Sequence, residues 1–176
     1  DGKTWHFKIR EGVEFHNGKS VTADDVLATF DHHMNENSTS VTKGLLSQSI
    51  TGIRKDGSHH VVFELNGSNR DFPYVLSDYN LGINAATSNG KIDPHAGMGS
   101  GPYSLVSFDP GVRIEYKRNP NYWKEDRAWF DEVESISILD KTARQNAIMN
   151  GDVDVIDGVD PTTVHLLSRA ENIKIL

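Results

Sequence analysis

The stretch TWHFKIREGVEFHNGKSVTADDVLATFDHHM, Thr4–Met34, contains the clearest secondary-structure signals in the chain. Its first part, Thr4–Arg10, alternates apolar and polar residues, as a strand with one buried face does. The next segment, VEFHNG, is predicted to be a short strand closed by a turn at Asn17–Gly18. Thr22 is a good N-cap, and apolar residues then recur at helical spacing. The stretch therefore predicts a strand, a hairpin-type turn and a helix in immediate succession.

Two carboxylates, Asp24 and Asp25, lie in the first turn of this predicted helix. Negative charge at that place meets the positive end of the helix dipole. The dipole explains both residues, so neither is assigned a catalytic role.

Strand pairs and single helices follow along the rest of the chain. After a polar loop, two strands, 49–55 and 60–65, are predicted on either side of a turn at Asp56–Gly57, and a second hairpin surrounds Pro110–Gly111. The other predicted elements are a short helix in DFPYVLSDY, strands at 82–86, 133–139, 153–156 and 173–176, and helices at 142–150, with Gly151 as its C-terminal cap, and at 161–170. Alternating elements with inserted antiparallel hairpins favour a mixed α/β (α+β) fold over a doubly wound sheet.

Composition excludes several classes of protein. Of 176 residues, 36% are hydrophobic and 24% are charged, which are values typical of globular domains. The formal net charge of -7 argues against a nucleic-acid partner, because such proteins usually carry a basic surplus. The absence of cysteine rules out disulfides, thiolate zinc sites and a cysteine nucleophile.

The glycine-rich stretch MGSGPYSLV, residues 98–106, resembles a phosphate-binding loop only superficially. Such a loop opens a helix, whose N–H groups hold the phosphate. Here Gly101 is followed by Pro102, which has no N–H, and then by a predicted strand. The stretch also lacks the Gly-x-Ser-x-Gly pattern of serine hydrolases. We therefore predict a turn that starts a strand.

Histidines are the remaining candidates for metal chemistry. The chain has eight, but neighbouring histidines on a helix point about 100° apart and do not chelate together. His16 and His95 lie in predicted turns and are the two that could join carboxylates from afar. Solvated or hydrogen-bonded histidines are the simpler interpretation. No catalytic residue, metal ligand or cofactor is predicted.

One aromatic residue, Tyr79, differs from the others in its surroundings. It follows a predicted helix in the segment SDYNLG, between Asp78 and Asn80. An aromatic ring flanked by short polar side chains can form a pocket wall that stacks on a ligand. A tyrosine in an exposed loop with no ligand is the alternative.

Three blocks of the sequence together resemble a known family. They are GKTWHFKIREGVEFHNGKSVTADDV, GSGPYSLVSFDPGVRIEYKRNPNYW and ARQNAIMNGDVDVID, in this order. The chain is similar to the family 5 extracellular solute-binding proteins. These are receptors of ABC importers for oligopeptides, dipeptides, nickel complexes, glutathione and some sugars.

The resemblance implies a two-lobed periplasmic-binding-protein-like fold that closes on its ligand by a hinge. It implies that residues 1–20 and 98–176 belong to the sheet and helices of the first lobe, and that 21–97 form a small inserted subdomain. The second lobe is expected to lie outside this chain, which is then a piece of a longer protein.

The resemblance also implies a site and partners. Ligand contacts are expected from the segment after the DFPYVL helix, which is Asp78, Tyr79, Asn80 and Leu81 here. The expected ligand is a peptide or other small molecule, and the expected partners are ABC permease subunits in the inner membrane. The protein is expected to be a monomer in the periplasm, free or lipid-anchored, without its signal peptide. Nickel-binding members have an arginine near this segment, and this chain has none between Arg70 and Arg113.

Two other functions are compatible with the residues. A metal-dependent hydrolase would use His16, His95 and carboxylates. The ligand-sensing domain of a regulator would carry a related binding domain fused to a DNA-binding helix pair.

Overall fold

The computed structural model of the chain describes residues 2–176, which form two compact units. One unit runs to Val106 and includes Tyr116–Val133, and the other consists of Ser107–Glu115 and Glu134–Leu176. Strands and helices are mixed in both sequence and space, which confirms the predicted α/β class. In chain order the elements are β1 Thr4–Lys8, α1 Ala23–Met34, α2 Lys43–Ser49, β2 Ile50–Lys55, β3 His60–Leu65, α3 Phe72–Val75, a 3₁₀ turn Tyr79–Leu81, β4 Tyr103–Asp109, β5 Arg113–Arg118, β6 Glu132–Ile136, α4 Lys141–Asn150 and α5 Val164–Leu167.

The strands form two three-stranded sheets. In the first sheet β3 lies between β1 and β2 and pairs antiparallel with both. Phe63 of β3 stands opposite Trp5 on one side and Ile53 on the other. In the second sheet β5 lies between β4 and β6. The predicted hairpins β2–β3 and β4–β5 are thereby confirmed.

Aromatic side chains build the core of the first unit on one face of its sheet. Phe63 packs edge-on against Phe30 of α1 at 5.0 Å between ring centroids and against Phe7 at 5.6 Å. Phe72 lies 5.4 Å from Phe63 on another side. The other buried apolar members are Ala23, Val26, Leu46, Ile50, Val61, Leu65 and Leu81. Phe63 is therefore the residue around which the sheet, α1 and α3 pack.

Several predicted strands are wrong, for one physical reason. The segment VEFHNG makes only a single bridge, between Glu14 and Ser20, and the segment 82–86 makes only one, between Ala86 and Ile92. The segments 153–156 and 173–176 form no ladder with any described residue. Strand propensity alone does not order a segment, because its backbone groups need a paired strand beside them.

Two helices also differ from prediction. The predicted helix at 161–170 shortens to α5, whereas α2 forms in a region that the sequence predicts to be a polar loop. Leu46 of α2 is buried in the core. Packing of this one apolar side chain stabilises a helix that its sequence would not form alone.

The predicted lobe boundaries stay a prediction. They separate 1–20 from 21–97, whereas β1 shares its sheet with β2 and β3, and the two compact units divide the chain elsewhere. Asp1, which the predicted range 1–20 includes, lies outside the described residues.

Truncation of Phe63 tests the central position of this side chain. We expect Phe63→Ala to lower the free energy of unfolding by about 3–5 kcal/mol, because a cavity would replace a ring packed against three others. Tyr74→Ala is the matched control, since Tyr74 is 78% exposed, and it should change stability by less than about 0.5 kcal/mol. Urea denaturation of the chain measures both. Equal effects of the two substitutions would contradict this account of the core.

Candidate functional site

The segment that contains Tyr79 is a small hydrogen-bonded turn. Asp78 lies just before the 3₁₀ turn, and its Oδ1 accepts hydrogen bonds from the backbone N–H and the side-chain Nδ2 of Asn80, both at 2.8 Å. Short polar side chains commonly stabilise such turns by accepting from an N–H two residues later. The two polar neighbours of Tyr79 are thus engaged with each other.

Tyr79 and Leu81 point into different surroundings. Tyr79 is 93% exposed, so both faces of its ring and its hydroxyl are accessible. Leu81 is 5% exposed and belongs to the core cluster of Phe63 and Phe72. The turn therefore presents one aromatic side chain while an apolar side chain two residues later anchors it. Ligand contact by Asp78, Tyr79, Asn80 and Leu81 stays a prediction.

Helix α1 holds the end of the same segment through two fully buried polar side chains. Thr29 Oγ1 accepts a hydrogen bond from the backbone N–H of Asn84 at 3.1 Å. Asp25 Oδ1 accepts one from the backbone N–H of Ala86 at 2.7 Å. Buried backbone N–H groups need such partners, because an unpaired one carries its full desolvation cost.

The buried carboxylate of Asp25 accepts hydrogen bonds from three other residues. Its Oδ2 also accepts from the backbone N–H and the hydroxyl of Thr22, at 2.8 and 3.0 Å, and its Oδ1 forms an ion pair with Lys19 Nζ. Burial by itself raises the pKa of Asp25, but the hydrogen bonds from Lys19, Ala86 and Thr22 together outweigh it, so the pKa is lowered. The carboxylate is therefore held in its charged form.

The sequence interpretation of the two carboxylates of α1 needs correction. The helix dipole accounts for Asp24, which is exposed and pairs with Lys55 Nζ at 2.6 Å. It does not account for Asp25, whose carboxylate is buried and bonded to three other residues. Sequence could have indicated the local part, since an acidic residue three positions after Thr22 forms a capping box. The bond to Ala86 joins residues far apart in the chain and has no sequence signal.

His16 joins the first two sequence blocks of the resemblance. Its backbone N–H donates to the Gly99 carbonyl at 2.9 Å, and its Nε2 donates to the Gly101 carbonyl at 3.1 Å. Asn119 Nδ2 donates to the same Gly101 carbonyl at 3.0 Å, and the Asn119 N–H donates to the Pro102 carbonyl at 2.8 Å. The turn at His16, the glycine stretch and the Asn119 turn thus meet at one place. The glycine stretch leads into β4 at Tyr103, as predicted, and not into a helix.

The hydrolase alternative finds no support in this geometry. His16 is engaged with backbone carbonyls, whereas His95 is exposed in the loop before the glycine stretch. Among residues 2–176, no group of three or more His, Cys, Asp or Glu side chains is arranged to hold a metal ion. The structure therefore gives His16 a role in packing the turn and does not bring it together with His95.

Comparison with known proteins identifies the family. The family described as bacterial extracellular solute-binding proteins, family 5 Middle, matches residues 1–175, so the chain belongs to it. The di/tripeptide-binding protein 3 of Pseudomonas aeruginosa is 26% identical over 200 aligned positions, which cover 99% of this chain and 37% of the relative. The peptidoglycan-binding protein YepA of Agrobacterium fabrum is 31% identical over 164 positions, which cover 85% of this chain and 26% of the relative.

The fold is also that of a solved periplasmic binding protein. The ABC transporter-associated protein DppA of Helicobacter pylori, in complex with the peptide STSA, superposes with a TM-score of 0.84 at 24% identity. The match covers 97% of this chain and 38% of DppA. These comparisons confirm the resemblance and the fold, and the relatives are binding proteins.

The chain spans well under half the length of the relatives that it matches. None of its helices within residues 2–176 is long and apolar enough to cross a membrane.

Substitutions at Asp25 and Asp24 distinguish the contribution of the buried hydrogen bonds to stability from that of the helix dipole. Both carboxylates lie in the first turn of α1 and interact with the dipole, but only Asp25 makes the buried bonds. We expect Asp25→Asn to lower the free energy of unfolding by about 1–3 kcal/mol, because an amide cannot replace all the bonds that the charge accepts. Asp24→Asn, at a 61% exposed side chain, should cost at most about 1 kcal/mol. Urea denaturation at neutral pH measures the difference, and equal losses would contradict the buried role.

The lowered pKa of Asp25 predicts how the stability difference between wild type and Asp25→Asn changes with pH. Because folding lowers the pKa of Asp25 from its ordinary value of 3.8, its stabilising contribution is complete above that value. The contribution is lost as the pH falls through the lower pKa of the folded state. We therefore expect the stability difference between wild type and Asp25→Asn to shrink below about pH 4. A difference that grows on acidification would show that the sign is wrong.

Substitution of the two histidines tests the packing role of His16. His16→Ala should lower the free energy of unfolding by about 0.5–1.5 kcal/mol, because the Gly101 carbonyl loses one of its two side-chain donors. His95→Ala should leave stability within about 0.5 kcal/mol of wild type, since His95 is exposed. Thermal or urea unfolding of the two variants decides, and a larger effect at His95 would contradict the assignment.

Proposed function

We propose that the whole protein is the substrate-binding component of an ABC importer and that its ligand is a peptide. Family membership over residues 1–175 supports a solute-binding role. The Pseudomonas relative is named for di- and tripeptides, and the Helicobacter structure holds the peptide STSA. In this proposal the chain contributes part of the first of two lobes, and the ligand is enclosed when the lobes close about a hinge.

The exposure of Tyr79 on a braced turn carries the proposal for this chain. A tyrosine ring is a large rigid surface with a polar end, so it can stack on a peptide plane or a side chain and donate or accept one hydrogen bond. Asp78 and Asn80 fix the turn on either side, and Leu81 anchors it in the core. In the whole protein, Tyr79 forms one wall of the ligand site.

The proposed cellular arrangement follows from this role. The receptor works as a monomer in the periplasm, free or lipid-anchored, and its closed, ligand-loaded form docks on permease subunits in the inner membrane. Its function requires binding and release, and no bond in the ligand is made or broken. The free energy of binding comes from enclosing the ligand and from the contacts that closure completes.

Identification of the bound ligand tests the proposal directly. The whole protein is purified from its host without added ligand and denatured, and the released molecules are identified by mass spectrometry. We expect peptides in an amount close to one per protein molecule. Two results would contradict the proposal. One is release of a sugar or a metal chelate in place of peptides, and the other is release of no ligand combined with failure to bind synthetic peptides.

Substitution of Tyr79 tests the site. In the whole protein, Tyr79→Ala should weaken binding of the released peptide roughly threefold to tenfold, because an aromatic contact contributes about 0.5–1.5 kcal/mol beyond its area. Stability should not change, since the side chain is exposed in the chain described here. Tyr74→Ala is the matched control and should bind as wild type does. Isothermal titration measures all three proteins, and wild-type affinity in Tyr79→Ala would exclude Tyr79 from the site.

A further inference from the structure

Two buried side chains of α1 contact the segment that leads away from Tyr79. We infer that Thr29 and Asp25 are positioning residues for the ligand-contacting turn, through their bonds to the segment 82–86. This inference rests on the proposed function of Tyr79. Neither residue is expected to touch a ligand, because both are fully buried in the first unit.

The spacing of the two contacts matches a strand-like chain laid along the helix. Thr29 and Asp25 are four residues apart, so they lie on one face of α1, about 6 Å apart along its axis. Their partners, the N–H groups of Asn84 and Ala86, are two residues apart, which is about 6.7 Å in an extended chain. Side chains of a helix thus take the place of a neighbouring strand. This arrangement explains why 82–86 has a strand-like sequence but forms no ladder.

The helix that holds this segment is itself firmly placed. Phe30, next to Thr29 in the chain, packs edge-on against Phe63 of the central strand. The cap at Thr22 and the ion pair with Lys19 fix Asp25 at the other end of the contact. The hydrogen bonds from Asn84 and Ala86 to Thr29 and Asp25 therefore fix the segment 82–86 relative to the core.

The turn around Tyr79 is consequently held at both ends and in the middle. The Asp78–Asn80 bonds close its start, Leu81 anchors it in the core, and α1 holds its continuation at Asn84. If the last of these contacts is lost, the segment can occupy more positions and Tyr79 is placed correctly for a smaller fraction of the time. The apparent affinity for a ligand falls by that fraction.

Thr29 offers the cleaner substitution of the two. Asp25 also caps α1, so its replacement alters the helix as well as the segment. Thr29→Val keeps the shape of the side chain and removes the hydroxyl that accepts from Asn84. Thr29→Ser keeps the hydroxyl and is the matched control.

The experiment uses the whole protein and an equimolar library of synthetic di-, tri- and tetrapeptides, with bound peptides quantified by mass spectrometry. We expect Thr29→Val to bind the peptides that wild type selects with roughly threefold to tenfold lower affinity. Thr29→Ser should bind them as wild type does. Hydrogen exchange should become faster in a proteolytic peptide that covers 82–88, whereas exchange in β3 stays unchanged. A purely structural role would instead speed exchange throughout the unit.

The outcomes separate this inference from the proposed function. Unchanged binding and exchange in Thr29→Val, together with weaker binding in Tyr79→Ala, would overturn the inference and leave the proposed function intact. Absence of binding to any library peptide by wild type would contradict the proposed function, while unchanged exchange in 82–88 would still contradict the inference. If Thr29→Val does not fold, Asp25→Asn is measured in the same way, with Asp24→Asn as its control.

Discussion

The buried carboxylate of Asp25 is the constraint on which the arrangement of the first unit depends. A charge inside a protein is retained only when enough donors surround it, and this one has Lys19, Thr22 and Ala86. Those donors belong to the turn before α1, to its cap and to a loop sixty-one residues along the chain. One carboxylate therefore fixes the start of the helix and the path of a distant segment together.

A second junction bonds together the first two of the three sequence blocks that resemble the family. His16 and Asn119 both donate to the Gly101 carbonyl, so the first turn, the glycine stretch and the turn after β5 are bonded at one point. Arg10 also lies over the ring of Trp123, with its guanidinium carbon 4.6 Å from the ring centroid. Substitution of a residue in one block would therefore remove a hydrogen-bond or cation–π partner from a residue in the other. The motif residues at this junction thus contribute to holding the fold.

The proposed ligand contact shows how rigid support and exposure can be combined. Tyr79 is accessible because the bonds that order its turn are made by its neighbours and by the backbone. On the buried side, Leu81 packs in the core and α1 bonds to the following segment, and both hold the backbone of the turn in place. A binding residue supported in this way loses little conformational entropy when a ligand arrives, because its backbone is already fixed.

The sequence by itself determined the elements whose signals are local. Alternation gave β1, the Asp56–Gly57 turn gave the β2–β3 hairpin, Thr22 gave the start of α1, and Gly151 gave the end of α4, where it adopts a left-handed conformation. The Tyr79 turn was also visible as polar residues around one aromatic side chain. Only the tertiary structure decided the rest: the burial of Asp25, the helix α2 held by Leu46, and the pairing of 82–86 with α1 in place of a strand. The physical reason is that burial and pairing depend on which distant groups arrive beside a residue, and no local pattern records that.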